Sequence, residues 1–143
     1  MSFSDDKSIE RLALRLIDRS LPKNEWTHAG HFAVALWLTR HCPYLTRPDE
    51  VRTIITRYND ATHTANTDTS GYHHTITLAS MRATRDYLTG FPSDTTLYTV
   101  LHSLLASEFG HPDWLRAYWE RATLFSVTAR RKWVEPDIMP LPF

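Results

Sequence analysis

The sequence has little cysteine and little glycine, and each shortage argues against a class of protein. The single cysteine, Cys42, cannot form a disulfide within the chain. The first residues also lack the basic start and apolar run of a signal peptide. We therefore expect a cytoplasmic protein. Only four glycines are present in 143 residues, which argues against a loop-rich β fold.

Net charge and long apolar runs are also missing. The 16 basic and 16 acidic residues cancel, so no overall field would recruit nucleic acid or an anionic membrane. No stretch approaches the ~18 consecutive apolar residues that span a bilayer, and the longest candidate covers only residues 32–38. We expect neither a nucleic-acid partner nor a membrane partner, and the sequence leaves homo-oligomer formation open.

The apolar content is sufficient for one core. With 42% hydrophobic residues over 143 positions, the chain fits a single domain, residues 1–143. Five Trp, six Tyr and six Phe supply large rings that need either a core or a pocket wall.

Apolar residues recur at helical spacing in most of the chain, between capping residues and helix breakers. The predicted helices run from the Ser4–Asp6 cap to before Pro22, from Asn24 or Thr27 to Cys42, from Thr46 to about Thr62, from the Tyr72–His74 cluster to Gly90, from Ser93 to Gly110, from Pro112 through Trp119, and from Ser126 through Trp133. The second is apolar nearly all round, which predicts a central helix.

The last nine residues contain three prolines and cannot continue a helix. They predict an extended tail packed on the surface. We conclude that the fold is all-α, a single-domain bundle of about six helices with an extended, Pro-rich C-terminal tail.

A pair of histidines lies at the start of the predicted central helix. His28 and His31 are three residues apart, so both can reach one ion from one helix face. Glu25 precedes His28 by three residues and forms a Glu-x-x-His unit, unless it lies in the turn before the helix. The polar segment 63–77 ends in a second cluster at the entry of another helix, where periodicity does not choose between His73 and His74.

Three neutral imidazoles with an open fourth position form a known catalytic metal site. We therefore predict a divalent metal, Zn²⁺, Fe²⁺ or Mn²⁺, held by His28, His31 and His73. The alternative is that these histidines are structural and hydrogen-bond to carbonyl or carboxylate oxygens, as most interior histidines do.

Four short motifs carry a resemblance to a known family: WTHxxH at 26–31, YN at 58–59, NTDTxGYHxT at 66–75 and WVEPD at 133–137. Together they resemble a family of small bacterial proteins without an assigned activity. The resemblance implies that His28, His31 and His73 are the signature histidines. It also implies that position 74 is more often acidic, so His74 is a departure. A looser likeness is to damage-inducible helical bundles with three-histidine metal sites, which carry their histidine pair late in the chain.

Three functions follow as hypotheses, and the sequence does not decide whether the protein is an enzyme. The first is a metal-dependent hydrolase or lyase acting on a small molecule. In it Asp68 or Glu25 orients a ligand histidine or serves as general base, and Tyr72 donates a hydrogen bond to the substrate. The second is a non-catalytic helical protein that binds a small molecule or another protein, with the aromatic segment 114–119 as its contact surface. A metal-free enzyme that uses a histidine as acid or base is a third.

Overall fold

Residues 3–143 are described by the computed structural model, and within that range they form helices and no strand. This confirms the all-α prediction. The helices are α1 (Asp6–Ile17), α2 (His28–His41), α3 (Pro48–Ala61), α4 (His74–Thr89), α5 (Leu97–Ala106) and the short α6 (Arg121–Leu124) and α7 (Val127–Arg131).

The first two helices begin at side chains that cap them. The Asp5 carboxylate accepts a hydrogen bond from the Ser8 N–H at 2.8 Å and starts α1. The Thr27 hydroxyl accepts from the Gly30 N–H at 3.1 Å and starts α2. Each cap satisfies a backbone donor that has no partner inside its helix. The sequence offered Asn24 and Thr27 as caps of α2, and the structure uses Thr27.

Helix α2 lies at the centre of the bundle. Every residue from Phe32 to Leu38 is buried. A helix that is apolar on all sides has to be covered on all sides, and α1, α4 and α5 pack around it. The prediction of a central helix is confirmed.

Helix α3 packs on α1 and stands off from α2 and α4. The Tyr58 hydroxyl fixes it there by donating to the Leu21 carbonyl at 3.0 Å. Ile54 and Ile55, on the same helix, are only partly buried. A gap lined by apolar side chains therefore remains between α3 and the helices α2 and α4.

The predicted helix from Pro112 through Trp119 is wrong in type, because only a 3-10 turn forms there, at Trp114–Ala117. Residues of the C-terminal tail form hydrogen bonds with backbone groups that a helix would use internally. The Tyr118 carbonyl accepts from the Ile138 N–H at 2.9 Å, and the Asp137 carboxylate accepts from the Glu120 N–H at 2.8 Å. Tertiary contacts thus override local helix propensity.

The tail beyond α7 contains neither helix nor strand and packs against buried aromatic residues, including Trp119 and Phe109. The Trp119 indole N–H donates to the Val134 carbonyl at 3.0 Å. The Phe143 ring meets the Phe109 ring edge-on, with centroids 5.9 Å apart. The tail therefore completes the core at this end of the bundle.

Between residues 3 and 143, no helix combines the length and the apolarity that crossing a bilayer would require.

Candidate ligand-binding cavity

The two histidines at the start of α2 have different surroundings. The His28 Nε2–H donates to the Phe109 carbonyl at 2.8 Å, and its ring meets Phe32 edge-on. His31, one turn later, stacks on Trp26 with ring centroids 3.8 Å apart and planes inclined by 30°. His28 therefore holds the 108–110 turn against α2, whereas the His31 ring packs on the indole ring of Trp26.

His73 caps α4 and uses both ring nitrogens. Its Nδ1 accepts from the Ile76 N–H at 3.2 Å, and its Nε2–H donates to the Leu124 carbonyl at 2.7 Å. An imidazole that accepts at one nitrogen and donates at the other is neutral. Burial lowers the pKa of His73 and holds it in that form. His73 therefore fastens α4 to α6.

His74, the other candidate from this cluster, is also engaged. Its Nδ1 lies 2.7 Å from the Tyr72 hydroxyl. Burial lowers the pKa of His74, with smaller contributions from Arg52 and His73. Burial also raises the pKa of Tyr72 to about 12, so the phenol keeps its proton.

The three predicted metal ligands are not gathered around one point. His28 and His73 bond to carbonyls of different segments, at Phe109 and Leu124. Within residues 3–143, no three or more His, Cys, Asp or Glu side chains lie close enough together to hold a metal ion.

Two of the three predicted catalytic residues lie beside arginines and do not line the gap between α3 and the helices α2 and α4. Asp68 forms a two-pronged ion pair with Arg131 at 2.7 and 2.6 Å on the surface. Glu25 belongs to the 3-10 turn Lys23–Glu25, ahead of α2, and lies 3.8 Å from the Arg15 guanidinium. Only Tyr72 reaches the gap between α3 and α4.

The NTDTxGYH motif builds the loop between α3 and α4. The Asn66 amide oxygen accepts from the Asn59 side chain at 2.9 Å and from the Tyr72 N–H at 3.1 Å. Gly71 follows with φ +78°, a backbone conformation that side chains with a Cβ rarely adopt. Sequence reasoning missed Asn66, although its place inside a dense polar motif was a signal.

Thr75 ties α4 to the C-terminal segment and was also missed. Its side chain is fully buried, and its hydroxyl lies 2.7 Å from the Ala129 carbonyl and 2.9 Å from the Lys132 carbonyl. The same oxygen accepts from the Val134 N–H at 3.2 Å. Thr75 therefore satisfies carbonyls at the end of α7 that have no partner inside that helix.

The gap between α2, α3 and α4 is a partly open cavity of about 360 Å³. This volume lies in the range of small-molecule sites, roughly 300–1,000 Å³. Most of its walls are aliphatic, and the polar groups come from all three helices and from the loop that ends at α4. The lining residues are Leu16, Trp26, His31, Val34, Ala35, Leu38, Val51, Ile54, Ile55, Asn59, Thr64, Gly71, Tyr72, His73, Ile76, Thr77, Ser80 and Met81.

Several polar groups of the cavity lie near one another. The Thr64 N–H donates to the Asn59 carbonyl at 2.8 Å. Trp26 stacks on His31 and also meets Tyr58, the residue before Asn59, edge-on. Thr77 and Ser80 add polar side chains from α4. The site thus combines a mostly aliphatic lining with a few polar groups.

His31 is the histidine with unused hydrogen-bonding capacity in this cavity. Neither of its ring nitrogens has a hydrogen-bond partner among residues 3–143. His31 lines the cavity and is exposed to solvent, with many protein atoms close by. Desolvation by these atoms lowers the pKa of His31 to about 4, and the neighbouring His28 adds to the shift. His31 is therefore a neutral imidazole, open to a ligand.

The aromatic segment 114–119 does not form a pocket wall. Trp114, Leu115, Tyr118 and Trp119 are all buried in the core, and none of them lines the cavity. The expectation of a contact surface there is wrong, because the C-terminal tail covers these rings.

The lowered pKa values predict that the fold loses stability in mild acid. In the unfolded chain a histidine titrates near ~6.5, whereas the folded-state pKa is about 4 for His31 and is lowered for His73 and His74. Below pH ~6.5 the unfolded chain binds more protons, so the unfolding free energy falls as pH drops towards 4 and is constant above ~7.5. Urea titrations between pH 7.5 and 4.5 measure this.

A matched pair of variants assigns part of the acid response to the cavity. His31→Gln removes one group with a lowered pKa, so the loss of stability between pH 6.5 and 4.5 should be smaller than in the wild type. His102→Gln makes the same change at another exposed histidine, on α5 and outside the cavity lining, and should keep the wild-type loss. An equal loss in the wild type and in His31→Gln would contradict the prediction.

No protein-family model, no curated protein and no solved structure matches the chain. The argument for function therefore depends on the geometry of the cavity.

Proposed function

We propose that the protein binds a small molecule in the cavity between α2, α3 and α4, with His31 as its central polar contact. One observation carries the proposal: a cavity of about 360 Å³ has a mostly aliphatic lining, and that lining includes His31, whose ring has no hydrogen-bond partner among residues 3–143. Because His31 is exposed to solvent, its ring nitrogens are free to bond to water. A ligand that hydrogen-bonds to His31 would replace that water, with a net gain of about 0.5–1.5 kcal/mol.

Binding has more support than acid–base catalysis. A general base works best with a pKa close to the working pH, and desolvation by nearby protein atoms lowers the pKa of His31 to about 4. At neutral pH such an imidazole is a weak base and a suitable neutral donor or acceptor. The raised pKa of Tyr72 also disfavours a role as a proton donor in catalysis.

The metal-dependent enzyme has less support than the binding protein. His73 would have to leave the Ile76 N–H or the Leu124 carbonyl to ligate a metal. His28 would use its remaining nitrogen, since its Nε2 faces the Phe109 carbonyl. Each lost hydrogen bond to a buried group adds a cost of about 1–3 kcal/mol.

The proposal predicts that N-phenyl-1-naphthylamine, a neutral dye that fluoresces in apolar surroundings, binds at one site per chain. Ala35→Leu adds carbon atoms directly to the cavity wall, so it should weaken the dye at least about tenfold. Because the added side chain enters existing space, the melting temperature should not fall. Fluorescence titration and thermal melts measure the two effects.

Ala106→Leu is the matched control, because it makes the same change at an exposed position at the end of α5. It should bind the dye like the wild type. Equal dye affinity in Ala35→Leu and Ala106→Leu, or no saturable binding to the wild type, would refute the proposed function.

A further inference from the structure

We infer that the cavity selects uncharged, largely apolar molecules of about two fused rings that carry a hydroxyl group for His31. The inference rests on the proposed function and goes beyond it by specifying the charge, size and polar group of the ligand.

The preference for an uncharged ligand follows from the residues that line the cavity. None of the described residues that line the cavity is Asp, Glu, Lys or Arg. A charged ligand would therefore lose its hydration and gain no ion-pair partner in the cavity. Removing an ion from water costs far more free energy than one hydrogen bond returns.

The nearest guanidinium groups do not compensate for this lack. Arg52 lies over the Tyr72 ring, 5.3 Å from its centroid, and donates to the Arg131 carbonyl at 2.7 Å. Arg130 donates to the carbonyls of Gly71 and Tyr72 at 3.0 and 3.3 Å. Neither arginine belongs to the lining, and both are held by backbone oxygens. An anion in the cavity would thus meet no guanidinium directly.

The expected size of the ligand follows from the volume of the cavity. An apolar cavity of roughly 150 Å³ holds one benzene molecule, and this cavity measures about 360 Å³. A molecule of two fused rings is therefore of suitable size. The walls that would contact it are aliphatic side chains of three helices, including Val34, Leu38, Ile54 and Met81.

The hydroxyl group expected on the ligand follows from the chemistry of His31. A neutral imidazole has one nitrogen that donates and one that accepts. A hydroxyl can serve either nitrogen, because it both donates and accepts, so it suits both tautomers of the ring. A molecule with its hydroxyl at His31 would place its rings against the aliphatic side chains of the lining.

Competition against N-phenyl-1-naphthylamine at pH 7.5 tests the inference with four probes of one ring system. The probes are 2-naphthol, naphthalene, 2-naphthoate and protonated 2-naphthylmethylamine. We expect 2-naphthol to displace the dye at concentrations at least about a hundredfold lower than either charged probe. It should also surpass naphthalene by about fivefold to tenfold, the effect of one hydrogen bond.

His31→Phe separates the hydrogen bond from packing, since it keeps a ring against Trp26 and removes both nitrogens. In this variant 2-naphthol should lose its advantage over naphthalene, while the affinity of naphthalene stays within about threefold of the wild-type value.

The outcomes distinguish the two proposals. If 2-naphthoate or the amine competes as well as 2-naphthol, or if His31→Phe keeps the preference for 2-naphthol, the ligand class is wrong and the cavity remains a binding site. If no naphthyl probe displaces a dye that Ala35→Leu excludes, the ligand class is also wrong. If the dye itself does not bind the cavity, both proposals fail.

Discussion

Gly71→Ala should destabilise the fold by about 2–4 kcal/mol, because the backbone at Gly71 adopts φ +78°. A Cβ atom at this position would lie 2.7 Å from Asn66 Oδ1, and closer still to the Ala65 carbonyl oxygen. Both atoms belong to the loop that positions Tyr72 and His73. The loop would have to open, and the hydrogen bond from the Tyr72 N–H to Asn66 would be lost. Urea denaturation measures the change.

Gly90→Ala is the matched control for this prediction. Gly90 ends α4 with an ordinary negative φ of −75°, and its closest contact for an added Cβ is the Tyr87 carbonyl at 3.4 Å. A compatible Gly→Ala change limits the unfolded chain and stabilises by about 0.4–1 kcal/mol. A similar loss at both glycines would show that the strained loop is not what makes Gly71 necessary.

Thr75→Val should cost about 2–4 kcal/mol, although it barely changes the shape of the side chain. The change removes the hydroxyl that donates to the end of α7 and leaves the Val134 N–H without its partner. Each buried group left unpaired costs about 1–3 kcal/mol. α7 and the tail should therefore detach more readily from α4, which hydrogen exchange at Val134 and urea denaturation would both detect.

Thr84→Val offers the same substitution at the same depth. Thr84 is also fully buried on α4, but its hydroxyl donates only to the Ser80 carbonyl of its own helix, at 2.8 Å. Such a bond adds little to a carbonyl that already belongs to the helix, so the expected loss is under about 1 kcal/mol. If Thr84→Val costs as much as Thr75→Val, the contact between α4 and the C-terminal segment is not the source of the effect.

Much of the helical architecture could be predicted, because it depends on local patterns. Continuous burial along 32–38 follows from an uninterrupted apolar run, and the starts of α2 and α7 follow from the hydroxyl caps of Thr27 and Ser126. The segment 112–119 could not be predicted in the same way. Its backbone groups bond to a tail about twenty residues later, at Asp137 and Ile138.

The site was harder to predict, because histidine spacing does not reveal what each ring nitrogen bonds to. The partners of His28 and His73 are carbonyls 81 and 51 residues away in the sequence. Any residue can supply a carbonyl, so no side-chain pattern marks these contacts. Neighbouring positions on one helix turn therefore lead to different roles for His28 and His31.

The cavity itself leaves no local signature. Its aliphatic wall residues look like ordinary core positions of amphipathic helices, and the gap arises because α3 packs on α1 and not on α2. Only the placement of three helices decides which apolar residues cover a core and which line a space.

The most direct measurement of the central claim is a long-range ¹H–¹⁵N NMR spectrum of the histidine rings, recorded with and without 2-naphthol. The account predicts that His31 is neutral at pH 7.5 and titrates well below the usual range, with a pKa of about 4. It also predicts that 2-naphthol shifts the ring nitrogens of His31 and leaves those of His28 in place, since Nε2 of His28 already bonds to Phe109. A His31 ring that titrates near ~6.5 and does not respond to saturating 2-naphthol would contradict the account.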